Sequence, residues 1–101
     1  MSGIYDINEI KSRLQPVFDQ APVYRAVLFG SYAKGVATEQ SDVDIVLDSR
    51  GQLHGLSFYG VLEDAVTALD KKIDMFEISE IRNDSPIMDE INRQGVVLYE
   101  R

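Results

Sequence analysis

Cysteine is absent from the 101 residues, which excludes disulfide cross-links and thiolate metal sites. No apolar run approaches the roughly 20 residues needed to span a bilayer, and there is no repeat, low-complexity tract or linker. The opening Met1-Ser2-Gly3-Ile4-Tyr5-Asp6 lacks the basic and apolar regions of a signal peptide. A cytoplasmic location without membrane contact is expected. Basic charge is scarce: 10 Lys and Arg against 17 Asp and Glu give a formal net charge of −7. Lys71-Lys72 is the only adjacent basic pair, so nothing offsets repulsion from a phosphate backbone, and direct DNA binding is not expected. The acidity suits a hard cation or a basic protein partner better.

What remains is an ordinary globular mixture, 45% apolar and 27% charged, of a length that suits one domain over residues 1–101. Ile7, Ile10, Leu14 and Val17/Phe18 recur at helical spacing over 7–18, with Pro16 placed to perturb the end. Residues 23–29 form a short apolar strand that stops at Gly30, and a helical turn is expected at 31–34. Residues 42–48 are rich in β-branched side chains and predict a second strand. Leu56, Tyr59, Leu62, Val66 and Leu69 mark a second long helix, with Lys71 and Lys72 at its C-terminal end. A third strand is expected at 73–78. Ser85-Pro86 has the form of an N-cap followed by proline at the first helical position. That helix should run to Gln94, be stopped by Gly95 and lead into a last strand over 96–99. This order predicts an α/β or α+β sandwich with a small mixed sheet flanked by helices.

The chemistry concentrates between residues 30 and 44. In a strand, positions i and i+2 share a face with Cα atoms about 6.5–7 Å apart, so Asp42 and Asp44 aim two carboxylates at one volume while Val43, Ile45 and Leu47 face the core. Carboxylates that close repel, and a cation between them relieves the repulsion. Oxygen donors suit Mg²⁺, which completes its shell with substrate phosphates and water. Gly30 allows a tight turn and close approach of a ligand, and Ser31 is expected to cap a short helix whose amides point at an anion. A triphosphate there would meet metal held by Asp42 and Asp44. Lys34 would screen phosphate charge, and Gly35 would let the loop close. Two metals about 3.5–4 Å apart can activate the attacking oxygen and stabilise the leaving one. A third carboxylate belongs on a neighbouring strand. Asp74, polar within an apolar run, is the first candidate for base or metal ligand, and Glu77, of opposite parity, is the second. Ser41 either touches the nucleotide or caps its turn. His54 stands alone near glycine in a loop and carries no role.

Gly30-Ser31, a spacer ending in Ser41, and Asp42-x-Asp44 resemble the signature of the nucleotidyltransferase superfamily typified by DNA polymerase beta. The longer pattern from Leu28 to Gly35 and from Ser41 to Val46 is similar to its minimal nucleotidyltransferase (MNT) branch, as is the ending Gly95-Val96-Val97-Leu98-Tyr99-Glu100-Arg101. The resemblance spans nearly the whole chain. It implies the polymerase beta-like fold, Gly30 and Ser31 on the triphosphate, Asp42 and Asp44 on Mg²⁺, and Asp74 at the third acidic position. Relatives often carry arginine at position 34; Lys34 keeps the charge without bidentate geometry. Many members of the branch are encoded beside HEPN-domain ribonucleases and act as antitoxins by adenylylating a toxin tyrosine. The expected activity is therefore transfer of AMP from ATP, with Mg²⁺, to a hydroxyl of a HEPN toxin. The alternatives are a non-catalytic module that blocks its partner by contact, and transfer to a small molecule or an RNA end.

Overall fold

Ile10, Leu14 and Phe18 form one apolar stripe. In the computed structural model, which describes residues 4–101, that stripe is fully buried on helix α1, Ile7–Asp19. Residues 1–3, half of the segment read for a targeting signal, lie outside the described residues. Asp6 and Glu9 start α1 as a capping box, the Asp6 carboxylate accepting from the Glu9 amide at 2.8 Å and the Glu9 carboxylate from the Asp6 amide at 3.1 Å. Pro16 lies inside α1 without ending it. Val23 is buried, but its amide donates to the Ala21 carbonyl at 2.8 Å, so the first strand, β1, opens later than expected, as Arg25–Phe29.

The elements that follow are α2 (Gly30–Lys34), β2 (Val43–Asp48), α3 (Leu56–Leu69), β3 (Ile73–Glu77), α4 (Pro86–Gln94) and β4 (Val96–Glu100). Ile78, expected at the end of the third strand, instead begins a single 3-10 turn, Ile78–Glu80. The Ser85 hydroxyl accepts from the Met88 amide at 3.1 Å, and Pro86 follows as the first residue of α4. Gly95 ends α4 for a reason other than turn conformation. Its φ is −66°, but a Cβ there would lie 2.4 Å from the Ile91 carbonyl oxygen and 2.7 Å from Val27 Cγ1.

The four strands make one mixed sheet in the order β3-β2-β1-β4. β1 runs antiparallel to β2 and β4, and β2 is parallel to β3, with α3 as the crossover. This is the α+β sandwich expected. Two-residue alternation divides the sheet into faces. Leu28, Val43, Ile45, Leu47, Ile73 and Met75 pack with α1 and α3 residues such as Leu14, Phe18, Ala65 and Leu69 in the larger core. Val27, Phe29 and Val46 pack under Ile91 of α4 in a smaller one. Each large aliphatic or aromatic side chain fully buried here contributes about 1.5–3 kcal/mol. The larger core holds the strands in register. Among the described residues no helix is long and apolar enough to cross a membrane.

Candidate active site

Register brings the acidic residues together. Phe29, the last residue of β1, pairs with Asp44 of β2, and Asp44 pairs in turn with Asp74 of β3. The chain therefore leaves β1 beside the Asp44 side chain. Gly30 makes the turn with φ +75°, and a Cβ on it would lie 2.1 Å from Asp44 Oδ2. Conformation and space both require glycine here.

Asp44, Val46 and Asp48 point to the α4 face of the sheet, as do Asp74 and Phe76. The ring of Phe76 lies 6.0 Å from that of Phe29, which belongs to the smaller core. Asp44 and Asp74 thus sit side by side on adjacent strands. Burial pushes the Asp44 carboxyl up to about 6 from 3.8, reinforced by the charges of Asp74, Asp42 and Glu90 and by a hydrogen bond between the Asp44 and Asp74 carboxyls. One of those two must be protonated for that bond to form. A carboxyl that retains its proton through burial, with three other acids adding to the effect, marks a site where a cation would relieve the charge.

Asp42 lies just ahead of β2, which begins at Val43 rather than at Asp42. It is partly exposed and pairs with Lys72 Nζ at 3.4 Å. Lys72, expected at the end of α3, is held near the aspartates because its carbonyl accepts from the Val43 amide at 3.1 Å. Asp48 lies at the far end of β2, opposite Arg25. Glu77 faces the other side of the sheet. It is buried, and its carboxylate accepts from the Ser49 hydroxyl at 2.6 Å. Of the two candidates Asp74 and Glu77, strand parity puts only Asp74 on the face that Asp44 occupies.

Ser31 does not cap α2. The cap position falls on Phe29, whose side chain makes no capping bond, and the five-residue helix already includes Gly30 and Ser31. α2 therefore begins two residues sooner than a cap at Ser31 would place it. Ser41 Oγ accepts from the Thr38 amide at 2.8 Å, so its side chain is engaged in its own turn. Lys34, at the end of α2, lies 3.5 Å from Glu90 Oε2, and the same oxygen accepts from the Gly30 amide at 2.9 Å. Glu90 is the site residue that sequence reasoning missed. It lies in the middle of an amphipathic helix, and no local pattern marks which of its polar side chains reaches the Gly30 turn.

Among the described residues no three His, Cys, Asp or Glu side chains already stand as a metal-holding group. The donor set nonetheless fits a hard divalent cation. Asp42, Asp44 and Asp74 offer only oxygen, their mutual repulsion is registered in the raised Asp44 carboxyl, and a cation would replace the proton between Asp44 and Asp74. The missing Gly30 side chain leaves the room that the Asp44 carboxylate occupies.

The model of a family described as "Polymerase beta, Nucleotidyltransferase" matches residues 8–101. A protein of Methanocaldococcus jannaschii, described as a candidate protein adenylyltransferase, is 32% identical over 76 residues, 75% of this chain and 82% of that one. A crystal structure of a toxin–antitoxin with AMP-PNP superposes with a TM-score of 0.73 at 22% identity, over 96% of this chain and 75% of that chain. A tri-AMPylated Shewanella oneidensis HEPN toxin in complex with MNT antitoxin gives a TM-score of 0.71 at 18% identity, over 94% and 73%. At these identities the two structures establish a shared fold.

Proposed function

The chain belongs to the polymerase beta nucleotidyltransferase family, and from that premise we propose that it is a single minimal domain transferring AMP from ATP to a tyrosine of a partner HEPN ribonuclease toxin, as that toxin's antitoxin. Nucleotidyl transfer follows from the family. The protein acceptor is supported by the description of the Methanocaldococcus relative and by the likeness to complexes of HEPN toxin with MNT antitoxin. A cytoplasmic location belongs to the same proposal, since ATP and a ribonuclease partner meet there. The observation that carries the proposal is the meeting of Asp44, Asp74 and the Gly30 turn at one point of the sheet.

Asp42, Asp44 and Asp74 would hold Mg²⁺, which when bound neutralises charge on the phosphoryl oxygens. Gly30 lets the triphosphate approach the backbone, with Ser31 beside it, and Lys34 supplies a mobile positive charge for the phosphates. Ser41 serves by shaping the loop that delivers Asp42. The acceptor oxygen forms a bond to the α-phosphorus while the bond to the bridging oxygen of pyrophosphate breaks. The hydroxyl proton passes to the Asp74 carboxylate. Positioning and charge compensation supply most of the acceleration in such a transfer.

The test is intact-mass analysis of the cognate HEPN protein after incubation with this protein and Mg-ATP. Addition of AMP that is lost with Asp42→Asn/Asp44→Asn is the expected result. Full inhibition of the ribonuclease by that double variant would identify a steric module instead. Label recovered only on a small molecule or an RNA end would refute the protein acceptor.

A further inference from the structure

Glu90 has no part in the transfer as described, yet it holds two of the groups that the transfer needs. Its Oε2 accepts from the Gly30 amide at 2.9 Å and lies 3.5 Å from Lys34 Nζ. Its side chain is 30% exposed, so it sits at the lip of the site and not in the core. α4 is anchored independently of it, through Met88 and Ile91, which are buried.

We infer that Glu90 is a built-in competitor of the nucleotide: its carboxylate occupies the Gly30 amide and Lys34 in the free protein and has to be displaced by a triphosphate. This rests on the nucleotide-binding role proposed for Gly30 and Lys34. A backbone amide has one hydrogen and cannot donate at full strength to a carboxylate and a phosphate oxygen together. The ammonium of Lys34 faces the same choice. Charge adds to the competition, because Glu90 is one of four acids around the turn and contributes to the repulsion felt by Asp44. A highly charged, metal-free triphosphate meets that repulsion in full, whereas the metal complex carries its own compensation. Glu90 therefore makes the site select the metal-bound nucleotide and keeps the turn ordered without one. Displacement also frees Glu90 and leaves Lys34 to the phosphates, so binding would swing one side chain without moving α4.

The simpler role, a surface ion pair tying α4 to α2, predicts the opposite sign on substitution. Isothermal titration calorimetry with ATP, in Mg²⁺ and separately in EDTA, distinguishes the two for the wild type, Glu90→Gln and Glu90→Ala. Thermal melts confirm that both variants fold. Displacement predicts tighter binding by both variants, on the order of fivefold, the size of one partly exposed charge contact, with the larger gain in EDTA. Binding that is unchanged or weaker in both variants would overturn the inference while leaving the nucleotide site intact. No binding of ATP by wild type or either variant would remove the proposed site itself, and this inference with it.

Discussion

Replacing Asp44 by asparagine should stabilise the protein while abolishing its activity, and the size of the gain follows from the burial of its carboxyl first and the crowding of acids second. Folded, Asp44 keeps its proton up to about pH 6, against 3.8 for an unperturbed aspartate, chiefly through burial and then through Asp74, Asp42 and Glu90. Between those values the folded state binds more protons than the unfolded one. The contribution of this group to stability is therefore fully present below about pH 3.8 and is lost as pH rises through about 6. At about 1.36 kcal/mol per pH unit the shift corresponds to ~3 kcal/mol at most. Because Asp44 is only partly buried, solvent screening reduces this to about 1–2 kcal/mol. Asp44→Asn removes the charge, keeps the shape and can donate from its amide to Asp74. Urea unfolding in EDTA should give a variant about 1–2 kcal/mol more stable than wild type at pH 8, with the difference shrinking toward zero at pH 4. Adding Mg²⁺ at pH 8 should then stabilise the wild type and leave the variant little changed, since a cation would substitute for the missing proton. A variant that is less stable at pH 8, or a difference independent of pH, would refute the claim that like charges strain this site.

Gly30→Ala should fold less stably by about 1–2 kcal/mol from the left-handed backbone alone, and it should lose AMP transfer, because its Cβ would lie 2.1 Å from Asp44 Oδ2; transfer at the wild-type rate would show that Asp44 is free to move aside. Ser49→Ala removes the hydroxyl that donates to Glu77 at 2.6 Å and accepts from the Leu53 amide at 3.1 Å. Chemical denaturation should show a loss of about 1–3 kcal/mol, while the affinity for ATP stays within twofold of wild type, about the limit of a change without energetic meaning. A large change in nucleotide affinity there would mean that the Glu77 side of the sheet communicates with the Asp44 side.

The order and approximate bounds of the helices and strands were legible in the residues, because periods of 3.6 and 2 and the signals Ser85-Pro86 and Gly95 act over a few positions. The same local rule put Asp44 on the face opposite Val43, Ile45 and Leu47. The alternation that separates Asp74 from Glu77 is equally local, but which of them meets Asp44 depends on register between strands joined by a helix, and only packing of the larger core sets that register. Glu90 was out of reach for the same reason. Its 60-residue separation from Gly30 is closed by the docking of α4 on the sheet, which buried apolar contacts determine and no short pattern encodes. Even the glycines divide this way: the clash at Gly95 with the Ile91 carbonyl oxygen is set within α4 and its end, whereas the clash that would exclude a side chain at Gly30 exists only once Asp44 has been brought against it.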